Sequence, residues 1–387
     1  MSGFVRAFLA QWRLILSDKA AVVLVFGGFV IYSLIFPAPY AAEIARGNPI
    51  AVVDLDRSSL SRQLIQTAQA SGAIVVTHEL YSPSEAYALL RSGLIRGYLI
   101  IPEDFRRDAL SGRTPAISWG GDAVYLTVYS QIASAFAGAT GNLNGGIRLK
   151  KALATGIGVD AAGASLAPVA YVGRPLFNTR EGIAAYSAPA VMVLVMQQTI
   201  LLAIGVLVGT ARERAVFVSL PFEGWSELLG RAGVFVVIYS VHTLYFYGIV
   251  NWLWELPTYG HVLPALLFLL PFFLASAFFG LTIAGLFRRR ETSLVAIGVL
   301  GMPFAYVAGF AWPHEALVGP LRLASWLLPS TPGIQGSLQL MQMGASFEDV
   351  LPRWLALWGL VLLYGALSFY AKRREGFVDV KAPRRND

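Results

Sequence analysis

Six uncharged stretches constrain this chain more than any other feature. A helix needs roughly 20 apolar residues to cross the hydrocarbon core of a bilayer, and these stretches contain no Asp, Glu, Lys or Arg. They lie at residues 20–42, 182–211, 232–254, 256–287, 292–314 and 354–371. The pattern predicts an α-helical polytopic membrane protein with six transmembrane helices, the first at 20–42 and the other five in a bundle at 182–371.

The composition is also that of a membrane protein. Charged residues make up 14% of the 387 residues, whereas a soluble domain carries about 25%. The net charge of +7 is typical of cytoplasmic loops rich in Lys and Arg, so we expect no nucleic-acid partner. The chain contains no Cys, which excludes disulfides and thiolate metal sites.

A further uncharged stretch, 323–347, contains two Pro and three Gly. Because these residues interrupt helices, we expect the region 315–347 to form short or re-entrant helices rather than a seventh span.

The distribution of Lys and Arg predicts the orientation. Basic residues occur in the first 19 residues, in the loop after the second span, at 288–290 and in the tail 372–387, whereas the loop between the third and fourth spans has none. Basic loops face the cytoplasm, so we expect both termini on the cytoplasmic side of the inner (plasma) membrane. Residues 1–19 have the pattern of an amphipathic helix in the membrane interface, which favours a signal anchor over a cleaved signal peptide.

Residues 43–181, between the first two spans, have the composition of a soluble domain. Short apolar runs alternate with amphipathic stretches, beginning with PIAVVDLD and SSLSRQLIQTAQASG. This alternation of strand and helix patterns predicts a small inserted α/β domain. Long loops are translocated largely regardless of their charge, so we expect the domain to be extracytoplasmic.

Few residues carry recognisable catalytic chemistry. Asp54 and Asp56 follow the first predicted strand, and such a pair would hold a metal-bound nucleotide in an enzyme. The alternative is a strand-end turn in which Asp56 or Ser58 caps the next helix. The sequence has no GxxxxGK[ST] motif and no His-based metal spacing, so we predict no catalytic or metal-binding residue.

Three polar residues inside the predicted spans are candidates for a transport pathway, namely Gln197, Gln198 and His242. Polar side chains are costly in a bilayer and often mark a functional site. Hydrogen bonds between helices explain such residues equally well. The spans contain no acidic residue, which argues against energy drawn from a proton gradient.

The segment GTARERAVFVSLPFEGWSELLGR, residues 209–231, mixes charged and apolar residues between two spans. We expect a short amphipathic helix that docks a cytoplasmic partner, and the alternative is a helix that rests on the membrane surface. The candidate docking residues are Arg212, Glu213, Arg214, Phe217, Pro221, Phe222, Trp225 and Glu227.

This segment resembles the coupling segment of type-2 ABC exporter permeases. Glu213 matches the acidic position of that family, Pro221 its proline and Gly230-Arg231 its closing pair, while Ala215-Val216 replaces the usual Gly-Thr. The stretch 309–344, with Pro313, Pro320 and LPST at 328–331, resembles the family's re-entrant region. The amino-terminal helix and VVDLDRSSLS resemble the subgroup with a large extracytoplasmic domain.

The resemblance implies a permease subunit that pairs with a second, identical or related permease subunit. Separate cytoplasmic ABC ATPase subunits would bind ATP and Mg²⁺, so this chain would bind no cofactor and would not be an enzyme. Family substrates are lipids, drugs or polymers, and a periplasmic adaptor often serves the subgroup. Two other readings stay open, a membrane-anchored enzyme that uses Asp54 and Asp56, and a membrane-anchored receptor whose extracytoplasmic domain binds a ligand.

Overall fold

The chain folds into two units, which we describe separately. One comprises Met1–Glu43 and Pro175–Asp387, and the other comprises Ile44–Arg174. The computed structural model describes residues 3–40, 46–154, 177–178, 182–213, 217–220, 222–287, 289–375 and 377–380.

The first unit is predominantly helical. Its first helices are α1 (Gly3–Ser17), α2 (Lys19–Val22) and α3 (Phe29–Ile35), and a π-helical stretch, Val23–Gly28, joins α2 to α3. The helices that follow the second unit in the chain are numbered α8 to α15. Among the described residues these are α8 (Ile183–Glu213), α9 (Trp225–Tyr245), α10 (Asn251–Leu253), α11 (Val262–Ala284), α12 (Arg290–Val307), α13 (Gly319–Ser325), α14 (Ser330–Gln342) and α15 (Phe347–Glu375). A π-helical stretch, Phe246–Val250, joins α9 to α10.

Five helical segments among the described residues are long and apolar enough to cross a membrane. They are Lys19–Tyr40, Ile183–Glu213, Trp225–Leu253, Val262–Ala284 and Phe347–Arg373. A polytopic membrane protein is thereby supported.

The predicted span at 292–314 is shorter than expected. It forms α12, which has 18 residues and begins with Arg290 and Glu291. The remaining 16 residues would extend about 24 Å, less than the ~30 Å of a typical hydrocarbon core. The count of six spans therefore stays a prediction.

The region 315–347 contains two short helices, α13 and α14, as predicted. The break between them falls at Pro329, whereas Pro332, Gly333 and Gly336 lie inside α14. Helix α14 begins directly after Pro329 and is buried on most of its surface, and it packs against α8, α11 and α15. Whether this region re-enters a membrane stays a prediction.

Helix α8 is the centre of the helical unit, since most of its residues are buried and it packs against α11, α12 and α14. Two glycines let α12 approach it closely. A Cβ atom on Gly205 would lie 2.9 Å from the Ile297 side chain, and one on Gly209 would lie 2.6 Å from the Arg290 Cα. Small residues at helix interfaces permit such contact in membrane proteins.

The prediction of a short amphipathic helix at 209–231 is wrong. Helix α8 extends to Glu213, strand β5 (Phe217–Leu220, numbered after the four strands described below) follows, and α9 begins at Trp225. Strand β5 pairs antiparallel with β6 (Phe377–Val380) from the carboxyl-terminal region. Aromatic and β-branched residues favour a strand, but only a partner strand from the other end of the unit completes its hydrogen bonds.

The predicted boundaries near both termini also shift. The amino-terminal helix at 1–19 corresponds to α1, Gly3–Ser17. The predicted tail 372–387 begins as structured chain, because α15 continues to Glu375 and β6 follows.

The second unit contains a four-stranded sheet with strand order β2-β1-β3-β4. Its strands are β1 (Asn48–Asp54), β2 (Ile74–Leu80), β3 (Gly97–Ile101) and β4 (Ser118–Gly121). Strand β1 is parallel to β2 and to β3, and β4 is antiparallel to β3.

The helices among the described residues of this unit are α4 (Ser59–Ala70), α5 (Pro83–Arg91), α6 (Phe105–Ser111) and α7 (Leu126–Ala154). Each strand and helix has a counterpart in the predicted α/β pattern of residues 43–181. A buried core that includes Ile50, Leu99 and Phe136 joins the sheet to α7.

Candidate functional site

The carboxyl end of α8 holds the turn between α11 and α12. The Arg212 guanidinium donates hydrogen bonds to the carbonyl oxygens of Gly285, at 3.1 Å, and Phe287. The Glu213 carboxylate accepts one from the backbone N–H of Arg290 at 2.7 Å. A carboxylate at a helix amino terminus also interacts favourably with the helix dipole. Both side chains therefore fix the start of α12 relative to α8.

A second group of contacts joins the same turn to the first span, and we name Asp18, Thr210 and Arg290 the Asp18 cluster. The Arg290 guanidinium donates to both carboxylate oxygens of Asp18, each at 3.2 Å, and to the Thr210 hydroxyl at 3.2 Å. Asp18 also caps α2 by accepting from Ala20 N. Such a two-pronged charged pair is strong and geometrically specific, so it ties three separate helices together.

The start of α9 contains a buried ion pair. The Glu227 carboxylate accepts from the Arg231 Nε and Nη2 atoms, both at 3.1 Å, and the two side chains are only 7% and 4% exposed. The second carboxylate oxygen of Glu227 accepts a hydrogen bond from the backbone N–H of Glu223 at 2.9 Å. Glu223 in turn forms an exposed ion pair with Arg6 of α1 at 2.9 Å.

Helix α1 lies directly against α9. A Cβ atom on Gly230 would lie 2.5 Å from the carbonyl oxygen of Phe4 and 2.9 Å from the Ala7 side chain. Only a glycine therefore permits this crossing.

Aromatic rings join the segment to α15. The ring of Phe222 meets the edge of the Phe369 ring with a centroid separation of 5.0 Å, and Trp225 stacks on Phe369 at 4.8 Å. Trp225 is nevertheless 46% exposed, so one of its surfaces remains accessible.

The structure uses most of the predicted docking residues within the chain. Arg212, Glu213 and Glu227 are engaged in the contacts above, and Phe222 and Trp225 pack on α15. Phe217 lies in β5 and its backbone pairs with β6. Arg214 and Pro221 lie outside the described residues.

Sequence reasoning missed the Asp18 cluster and the partner of Glu227. Two signals were available. Asp18 lies two residues before the apolar run that begins at Ala20, and Glu227 and Arg231 are four residues apart, which places them on one helix face. The pairing of Asp18 with Arg290, 272 residues apart, left no local signal.

The three pathway candidates lie among the packed helices. Gln197 is fully buried and neither amide atom has a hydrogen-bond partner among the described residues. The half-buried Gln198 has an unpartnered Oε1 in the same set. His242 is buried and stacks on Phe29 with a centroid separation of 4.5 Å, an aromatic contact that accounts for its position without a ligand.

Comparison with known proteins identifies the family. A model of the ABC-2 family transporter proteins matches residues 19–370, which is nearly the whole chain. The chain belongs to the ABC-2 transporter family. This result confirms the resemblance to the family and makes the chain a multi-pass membrane subunit of an ABC transporter rather than a catalytic enzyme. The coupling role of the 209–231 segment stays a prediction. The subgroup with an extracytoplasmic domain stays a prediction.

Similar proteins are known in enteric bacteria. The chain is 27% identical over 368 residues to "Inner membrane transport permease YhhJ" of Escherichia coli (strain K12), covering 90% of this chain and 91% of the relative. The Shigella flexneri protein of that name gives the same values. It is also 20% identical over 181 residues to "Probable multidrug ABC transporter permease YbhR" of Escherichia coli (strain K12), covering 46% of this chain and 48% of the relative.

In this ABC-2 family chain, Asp54 and Asp56 are engaged in local structure. The Asp54 carboxylate accepts from the Arg57 backbone at 2.9 Å and from the Ser61 hydroxyl at 2.7 Å. Asp56 accepts from the backbone of Arg106 at 3.2 Å, while Ser58 caps α4. No group of three potential metal ligands occurs within the described residues. These contacts favour the strand-end turn over an enzyme site.

Proposed function

We propose that this chain is the permease subunit of an ATP-driven exporter in the inner membrane, with both termini in the cytoplasm. It moves a lipid, a drug or another amphiphile or polymer out of the cytoplasm or the inner leaflet. The permease names of the relatives, one of them a probable multidrug transporter, support this proposal.

The observation that carries the mechanism is the convergence of contacts around the 209–231 segment. Through its two ends the segment holds the first span, α1, the α11–α12 turn and α15. Cytoplasmic ABC ATPase subunits dock on this segment, and closure of the ATPase dimer displaces it. Because the contacts are charged pairs and close backbone approaches, the displacement moves the attached helices as rigid bodies.

The proposal includes several further components. ATP and Mg²⁺ bind to the ATPase subunits, and this chain holds no cofactor. A second permease subunit, identical or related, completes the transport pathway, which Gln197, Gln198 and His242 line within the lipid bilayer. The α/β unit lies outside the cytoplasm and docks a periplasmic adaptor protein or gates the exit.

The experiment is co-purification of the tagged full-length chain from its native membranes in mild detergent, followed by measurement of ATP hydrolysis. Glu213→Arg should abolish the co-purifying ATPase activity, while membrane insertion stays normal. Glu103→Arg, the same charge reversal at an exposed residue of the α/β unit, is the matched control and should retain the activity.

A second variant separates docking from folding, because Glu213 also caps α12. Glu213→Gln keeps an oxygen that accepts from the Arg290 N–H but removes the charge. If docking uses the charge, Glu213→Gln should strongly reduce ATPase recovery, while the loss of the helix-dipole interaction should lower the stability of the chain by at most about 1 kcal/mol. Normal ATPase recovery with Glu213→Arg would refute the docking role of this segment.

A further inference from the structure

Among the buried polar atoms of the described part of the helical unit that have no hydrogen-bond partner, those of four side chains belong to residues with no exposed surface. They are Gln197, Ser276, Ser330 and Thr331, each 0% exposed. Both amide atoms of Gln197 and all three hydroxyl oxygens lack a hydrogen bond among the described residues. Buried polar groups are almost always hydrogen-bonded, so each exception calls for an explanation. We name Gln197, Ser276 and Ser330, which helix packing places at one level of the bundle, the midbundle polar cluster.

The packing of α11 against α14 brings two of them to one level. A Cβ atom on Gly333 would lie 2.7 Å from the Phe272 ring, and one on Gly336 would lie 2.0 Å from the Phe268 ring. A higher residue number on α14 faces a lower residue number on α11, so these helices are antiparallel. Continuing this pattern by one helical turn, towards the start of α14 and the end of α11, places Ser330 opposite Ser276.

The packing of α8 against α11 brings Gln197 to the same level. A Cβ atom on Gly280 would lie 3.0 Å from the Ile204 side chain and 3.6 Å from the Leu201 Cα. Arg212, at the end of α8, contacts the carbonyl of Gly285 just beyond the end of α11, so these two helices are parallel. Gln197 lies four residues before Leu201 on α8, and Ser276 lies four residues before Gly280 on α11. Because residues four apart share a helix face, Gln197 and Ser276 come to the same level of the bundle.

The chemistry of the cluster selects a neutral ligand. Helix α8 up to residue 211, all of α11 and all of α14 contain no charged side chain, so a charged ligand would be desolvated without compensation. An amide and hydroxyl groups each offer a donor and an acceptor. A buried water molecule makes about three such hydrogen bonds.

We propose that the midbundle polar cluster is a binding site for a neutral hydroxyl ligand. Water is the smallest such ligand, and the hydroxyl of a transported amphiphile has the same chemistry. The site rests on the packing of α8, α11 and α14, so it stands or falls independently of ATPase docking.

The first test compares melting temperatures of the purified full-length chain. Ser276→Ala and Ser330→Ala each remove a partner of the ligand, so the melting temperature should fall by about 2–4 °C per variant. Thr199→Val shows how far the melting temperature falls when a known hydrogen bond in the same bundle is lost, because the Thr199 hydroxyl accepts a hydrogen bond from the Tyr239 hydroxyl at 2.7 Å. If the hydroxyls have no ligand, their removal should raise the melting temperature, and that result would overturn the proposal.

The second test identifies the ligand through the side-chain amide of Gln197. The chain is labelled with ¹⁵N at Gln, the Gln197 signal is assigned by its loss in Gln197→Leu, and magnetisation transfer from nearby protons is measured by NMR. Discs of native membrane are compared with discs of perdeuterated phosphatidylcholine, which has no hydroxyl.

Each outcome decides the proposal. Transfer from water protons in both kinds of disc supports the site and identifies water. Transfer from organic hydroxyl protons in native membrane, lost in the synthetic discs, supports the site and identifies an amphiphile. Absence of transfer in both preparations would overturn the site, whatever the ATPase experiment finds.

Discussion

The pairing of Asp18 with Arg290 provides a sharp test of the contacts that join the first span to α12. Replacing Asp18 by Asn keeps the size of the side chain and an oxygen that accepts from Ala20 N, so the cap on α2 persists. The substitution removes the negative charge that faces the guanidinium.

The magnitude follows from burial. The side chains of Asp18 and Arg290 are only 11% and 24% exposed, so water screens the pair weakly. Loss of hydrogen bonds to a charged group costs about 1.5–3 kcal/mol, and a buried pair more. We expect Asp18→Asn to lower the free energy of unfolding by about 2–3 kcal/mol, which corresponds to a melting temperature lower by about 4–12 °C.

The assay is thermal unfolding of the full-length chain in detergent, with Asp349→Asn as the matched control. Asp349 is exposed and accepts hydrogen bonds from the backbone and hydroxyl of Ser346 at the start of α15. We expect the control to lose at most about 1 kcal/mol, as for an ordinary helix cap. Equal melting temperatures for Asp18→Asn and the wild type, or an equal loss in the control, would refute the reasoning.

Two further predictions concern α9. Glu227→Ala leaves the buried Arg231 without its carboxylate partner and should destabilise the chain by about 3–5 kcal/mol. The double variant Glu227→Ala with Arg231→Leu should recover part of this loss, because no buried charge remains. Thermal unfolding that finds the double variant no more stable than the single variant would contradict this. Gly230→Ala should lower stability by about 1–3 kcal/mol and expose α1 to trypsin, because the new Cβ would meet the Phe4 carbonyl. The control Gly233→Ala should raise stability through helix propensity, because its Cβ would lie 3.5 Å from the Phe4 ring. Equal digestion of the two variants would count against the close crossing of α1 and α9.

The α/β unit was predictable from the sequence because its signals are local. Strand β1 is a short apolar run, and Ser58 precedes an amphipathic helix that it caps through Leu60 and Ser61. Alternation of such runs specifies strands and helices without reference to distant residues.

The 209–231 segment was only partly predictable. Its described residues Arg212, Glu213 and Trp225 do lie where helices meet, but Glu227 is buried in an ion pair rather than exposed to a partner. The amphipathic helix was a wrong prediction because a periodic pattern does not say whether a distant strand, here β6, is available for pairing.

By itself, the sequence determined five of the apolar spans, the helix break at Pro329 and the family resemblance, since chain composition and short-range pattern decide these. The tertiary structure alone decided which charges meet, as with Asp18 and Arg290, and which polar groups are buried without a partner among the described residues, as with Gln197, Ser276 and Ser330. The physical reason is that such contacts depend on the register of packed helices. Glycines such as Gly209 and Gly280 set that register through close backbone approach, and no local period in the sequence records the partner.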